Sequence, residues 1–123
     1  MKITVLGCGR WGSFHAWYAD HIGHDVTLWG RPGSQHLQEL LETRKNEYLS
    51  LPASISLTSD LKAALDAADI CIISISAQQL RSFARQLKAA GFAPSLPFVL
   101  AMKGLEEGIR PTIDAFGNEI GRA

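Results

Sequence analysis

Three glycines, Gly7, Gly9 and Gly12, stand in a Gly-x-Gly-x-x-Gly spacing immediately after the run KITVL, and they limit what this chain can fold into. Lys2 to Leu6 is short, apolar and β-branched, so it reads as a buried strand that stops at a glycine. From about Trp11 to Ile22 the residues Trp11, Phe14, Tyr18 and Ile22 recur at helical spacing, with Gly23 as a C-terminal stop. A strand that turns within a few residues into a helix, through a loop where side chains are kept to a minimum, is the start of a βαβ unit.

The remainder repeats that alternation. DVTLW is a second strand, and SQHLQELLETRK is a helix with Leu37, Leu40 and Leu41 on one face and Ser34 as its N-cap. SISLT is a third strand, followed by a short helix, SDLKAALDAAD, that starts at Ser59 or Asp60. ICIISI is apolar without alternation, as a strand covered on both faces must be. AQQLRSFARQLKAAG is a helix ending at Gly91, and its three basic residues form a solvated face. PFVLAM is a fifth strand, and RPTIDAFGNEIGRA opens a last helix with Pro111 in its first turn. Strands joined by helices run parallel through right-handed crossovers. The expected fold is therefore α/β, a doubly wound Rossmann-type sheet of order 3-2-1-4-5 with helices on both faces, built from residues 1–123 as one domain.

In that setting the glycines point to a dinucleotide. Gly7 makes the turn off the strand, Gly9 lets the backbone approach a pyrophosphate, and Gly12 lets the helix lie close to the sheet. The pyrophosphate is drawn to the helix N-terminus by unpaired N–H groups and the helix dipole. The second strand bears on which dinucleotide is preferred. An acid near its end would bond a ribose 2′-hydroxyl, yet no acid lies between Thr27 and Gln38. Arg31 stands there instead, and a guanidinium suits a 2′-phosphate. The cofactor expected is NADP(H) or NAD(H), with NADP(H) favoured.

Composition excludes other classes. Twelve basic residues balance twelve acidic ones, so there is no general pull towards nucleic acid or an anionic membrane. No apolar run is long enough for a signal sequence or a membrane span. Cys8 and Cys71 lack metal-type spacing and read as buried thiols of a reduced cytoplasmic protein. The four histidines show no metal-ligand pattern, and no metal site is expected.

GCGRWGS, VTLWGR, NEYLSLP and AMKGLE, taken in order, resemble motifs of the N-terminal domain of bacterial NAD(P)-dependent glycerol-3-phosphate dehydrogenases. The motifs of that family are G-x-G-x-W-G-T, L-W-x-R, N-x-x-Y-L-P and K-G-L-E, and the resemblance spans Gly7 to Glu106. It implies hydride transfer between NAD(P)H and dihydroxyacetone phosphate, making sn-glycerol 3-phosphate for phospholipid synthesis. It implies that Gly7, Gly9, Arg10, Trp11, Gly12 and Arg31 contact the cofactor, with Tyr48 beside them. It also implies that Lys103 reaches both cofactor and substrate phosphate. The general acid/base lysine belongs to a C-terminal helical domain expected to lie outside this chain, and the full-length form is expected to be a homodimer. No catalytic residue is therefore expected among these 123, and the chain alone is expected to be inactive. The chain departs from the family pattern at Arg10, where serine is usual, at Ser13–Ala16, where Thr-Ala-Leu-Ala is usual, and at Ile75–Ala77, where Val-Pro-Ser is usual. Two other readings stand beside this one: a non-catalytic NAD(P)(H) sensor module, and a reductase of the ketopantoate or 3-hydroxyacid type.

Overall fold

The computed structural model describes residues 1–101, and Lys103 and the helix expected from Arg110 lie outside them. The described chain runs β1 (Lys2–Leu6), α1 (Arg10–His21), β2 (Asp25–Trp29), α2 (Gln35–Thr43), β3 (Ser56–Thr58) and α3 (Leu61–Asp66). It continues through β4 (Ile70–Ile73), a 3-10 turn (Ala77–Gln79), α4 (Leu80–Ala90) and β5 (Phe98–Leu100). The strands form one parallel sheet in the order β3-β2-β1-β4-β5, as expected from the alternation of elements. Val5 lies between Leu28 of β2 and Ile72 of β4.

Each face of the sheet has its own core, which explains why β4, flanked by strands on both sides, is apolar without a break. Val5, Val26 and Leu28 meet Ala16 and Ala19 of α1 and Leu37 and Leu40 of α2. Leu6, Trp29, Cys71 and Ile73 meet Leu65 of α3 and Phe83 and Leu87 of α4. Burying each large apolar side chain contributes roughly 1.5–3 kcal/mol. The helix ends follow local chemistry. The Ser34 hydroxyl accepts from the Leu37 amide, the Asp60 carboxylate accepts from the Ala63 amide, and Gly91 ends α4 at φ +82°.

The residues whose spacing marks α1, Trp11, Phe14, Tyr18 and Ile22, are all exposed. The face against the sheet is Gly12, Ser13, Ala16 and Ala19, because a helix that starts one tight loop after β1 must approach closely and has room only for small residues. Leu41 is likewise exposed, so the buried stripe of α2 is Leu37 and Leu40.

Candidate functional site

The order of the sheet reverses between β1 and β4, and a crevice at such a switch point, outside the carboxyl ends of the strands, is where ligands bind in open α/β sheets. The loop Gly7–Gly9 occupies that place. The Gly7 amide donates to the Trp29 carbonyl at 2.9 Å, and the Ser74 amide donates to the Leu6 carbonyl at 2.8 Å. The loop is thus hung from the ends of both neighbouring strands.

The three glycines have three different surroundings. Gly7 has φ +118°, and a Cβ there would lie 2.2 Å from the Ser74 carbonyl oxygen. At Gly12 a Cβ would lie 1.7 Å from the Gly7 carbonyl oxygen, so the loop folds directly onto the first turn of α1. A Cβ at Gly9 would meet nothing within 4 Å. Gly7 and Gly12 are required by packing, whereas Gly9 borders open space at the N-terminus of α1. Gly9 is also the N-cap of α1 and has no side chain with which to cap it. A pyrophosphate fits this donor set: an uncapped 12-residue helix start with its dipole, and a backbone bare of side chains.

The rest of the loop is braced from within. Ser13 is fully buried, and its hydroxyl donates to the Cys8 carbonyl at 3.1 Å. Cys8 packs inward 3.8 Å from the Ser34 hydroxyl, and burial pushes its thiol pKa up, with Ser34 opposing part of that rise. Cys8 is thus a packed small thiol, as its place in a tight loop suggests. Gly30 completes the brace: a Cβ there would lie 2.6 Å from Cys8 Sγ and 2.8 Å from Leu37 Cβ. Sequence reasoning missed Gly30, although a glycine directly after a strand was a readable signal.

Arg10 and Tyr48 are brought together across 38 positions of sequence. The Arg10 guanidinium carbon lies 4.4 Å from the centre of the Tyr48 ring and 5.4 Å from that of Trp11. With Phe14, Trp17 and Leu49 they line a groove of about 370 Å³ between α1 and the segment after α2. Trp11 is 43% exposed and forms part of the groove wall. Arg31 is exposed just past β2, at the same edge of the sheet. Arg44 was also missed. It adopts a left-handed conformation (φ +60°), and its guanidinium donates to the carbonyls of Pro52 and Ile55, pinning the segment that carries Tyr48. No run of residues announces such a clasp. Among the described residues no cluster of His, Cys, Asp or Glu could hold a metal, and no helix is long and apolar enough to cross a membrane. His15 lies in α1, and burial lowers its pKa.

Comparison with known proteins gives this geometry a context. A family model described as the NAD-dependent glycerol-3-phosphate dehydrogenase N-terminus matches residues 2–122. A curated glycerol-3-phosphate dehydrogenase (NAD(P)+) of Thermoanaerobacter sp. (strain X514) is 38% identical over 86% of this chain and 32% of its own length. One from Nitrosomonas europaea is 42% identical over 88% of this chain and 33% of its own. This chain thus spans about a third of the curated relatives it matches. The crystal structure of glycerol-3-phosphate dehydrogenase from Coxiella burnetii shares the fold, with a TM-score of 0.73, 24% identity and coverage of 87% of this chain and 34% of that one. A ketopantoate reductase structure from Ralstonia eutropha has a TM-score of 0.67 and 27% identity, covering 86% of this chain and 35% of that one.

Proposed function

The chain belongs to the family of NAD-dependent glycerol-3-phosphate dehydrogenase N-terminal domains, and from that premise we propose that it is the cofactor-binding part of an NAD(P)-dependent sn-glycerol-3-phosphate dehydrogenase. The observation that carries the reading is the contrast at the glycines: two are closed by backbone contact and Gly9 alone opens onto free space at a helix start. Gly9 leaves the start of α1 open to the cofactor pyrophosphate, Gly7 and Gly12 shape the turn that presents it, and Arg10 adds a positive charge beside it. Trp11 shields the loop from one side. Arg31 pairs with a 2′-phosphate and so favours NADPH over NADH. The bound nicotinamide supplies the hydride chemistry, and this chain binds and orients it.

Lys103, two residues past the last described one, neutralises the phosphate of dihydroxyacetone phosphate. The acid/base lysine and most of the substrate pocket lie in a C-terminal helical domain outside this chain. The whole enzyme acts in the cytoplasm as a homodimer, on this small molecule and not on nucleic acid or membrane, and feeds phospholipid synthesis. A test is to fuse this chain to the C-terminal two-thirds of the Nitrosomonas relative and follow NADPH oxidation. Turnover with dihydroxyacetone phosphate is expected. Binding of NADPH without turnover would favour a sensor module, and turnover with ketopantoate instead would favour the ketopantoate-type reductase suggested by the Ralstonia neighbour.

A further inference from the structure

We propose that Tyr48 is a positioning residue that acts through Arg10, holding its guanidinium in place for the anion bound at the start of α1. The inference rests on the cofactor reading above and deepens it, because the role of Tyr48 is moved from the cofactor to the arginine. Arg10 is the first residue of α1 and follows Gly9 directly, so its side chain leaves the backbone beside the open space. A long, flexible, charged side chain at this place loses rotamer freedom when it is held, so neighbouring contacts decide where its charge sits.

Two rings provide that device. The Tyr48 ring lies 4.4 Å from the guanidinium carbon and the Trp11 ring 5.4 Å. A guanidinium attracted to a ring face keeps its N–H edge available for a phosphate, because the attraction uses the face of the ion and not its donors. Among the described residues the Arg10 side chain makes no hydrogen bond or ion pair, so none of them occupies those donors.

The Tyr48 ring is itself fixed. The Asn46 carboxamide oxygen accepts from the amides of Tyr48 (2.8 Å) and Leu49 (3.0 Å), and the Asn46 amide donates to the Leu49 carbonyl at 3.0 Å. Leu51 is buried just beyond, its amide donates to the Arg44 carbonyl at 2.7 Å, and the Arg44 guanidinium clasps Pro52 and Ile55. The ring therefore stands on an ordered turn although it is 56% exposed. Holding the guanidinium in advance removes an ordering cost that a free arginine would meet on binding.

The test uses the 123-residue chain with NADPH and NADH as probes and four variants: Y48F, Y48A, R10S and R10S/Y48A. Y48F keeps the ring and is expected to bind like the wild type. Y48A is expected to weaken both nucleotides by about two- to fivefold, the scale of an exposed cation–π contact. Its affinity should also depend less on salt, as for R10S. R10S/Y48A is expected to bind no more weakly than R10S, because Tyr48 has no arginine left to hold. The Arg10 Nε–H resonance should carry a ring-current shift in the wild type that Y48A loses, with or without nucleotide. A further loss of affinity on adding Y48A to R10S would overturn the proposal and put Tyr48 on the cofactor itself. So would a silent Y48A in a protein that binds nucleotide. Absence of nucleotide binding by the wild type, with the ring-current shift intact, would overturn the cofactor reading and this proposal with it.

Discussion

Replacing Gly12 and Gly9 in turn by alanine separates packing from ligand binding at the junction of β1 and α1. At Gly12 the added Cβ would sit 1.7 Å from the Gly7 carbonyl oxygen and 2.7 Å from its carbon. Both are backbone atoms of a loop hung from two strands, so neither can swing aside. To reach the 3.4 Å at which ordinary contact begins, α1 must lift away from β1, carrying buried Ala16 and Ala19 with it. Alanine in place of a helical glycine normally gains about 1 kcal/mol. Here the overpacking reverses that sign and costs about 3 kcal/mol or more. The melting temperature of G12A, followed by far-ultraviolet circular dichroism, should fall by about 10 °C. At Gly9 the φ of −74° suits any residue and the Cβ meets nothing. G9A should therefore melt within about 0.5 kcal/mol of the wild type. Its methyl group enters the space assigned to the pyrophosphate, so NADPH affinity measured by calorimetry should drop at least tenfold, about 1.4 kcal/mol. A G9A protein that binds NADPH like the wild type, or a G12A protein that melts like it, would refute the division of labour between the glycines.

R31A should lose affinity for NADPH by about tenfold or more while leaving NADH unchanged, since a charge-assisted hydrogen bond contributes about 1.5–3 kcal/mol; equal loss for both nucleotides would remove Arg31 from the 2′-phosphate. T4V should lower stability by about 1–2 kcal/mol, because the buried Thr4 hydroxyl donates to the Ala64 carbonyl at 2.8 Å and valine leaves that carbonyl without its donor. Urea unfolding is the measurement, and an unchanged midpoint would show that the bond contributes nothing. Burial pushes the Cys71 thiol from 9.0 up to about 12. A raised pKa means full stability below about pH 9 and loss between pH 9 and about 12, as the unfolded chain ionises first. Replacing Cys71 by valine should flatten that alkaline decline, and an unaltered slope would show that Cys71 is not its source.

Much of this molecule was legible in the sequence because the physics is local. The glycine spacing joins the end of a strand to the start of a helix, the unbroken apolar ICII must be covered on both faces, and Ser34 and Asp60 cap helices within their own turn. The sheet order is that of the dinucleotide-binding fold, to which the glycine spacing after β1 points. What was hidden depends on contacts distant in sequence. The inner face of α1 could not be read from apolar spacing, because closeness to the sheet selects Gly12, Ala16 and Ala19 over the large residues beside them. Gly30 is needed only because Cys8 and Leu37 converge on it, and Arg10 meets Tyr48 across a segment braced by the Arg44 clasp and tied to α1 where the Ser54 hydroxyl donates to the Asp20 carboxylate. Helix α4 was expected to begin at Ala77, but it opens with a 3-10 turn and becomes α-helical at Leu80, a boundary that no capping side chain marks.

The central claim is that the Gly7–Gly9 loop and the start of α1 form a dinucleotide cradle. The most direct measurement is a titration of the wild-type chain with NADPH and with NADH, following tryptophan fluorescence, since Trp11 stands at the loop. Saturable quenching by both nucleotides, tighter for NADPH, is the expected result. A flat signal with both, confirmed by calorimetry, would contradict the claim and leave Gly7 and Gly12 as a packing device between β1 and α1.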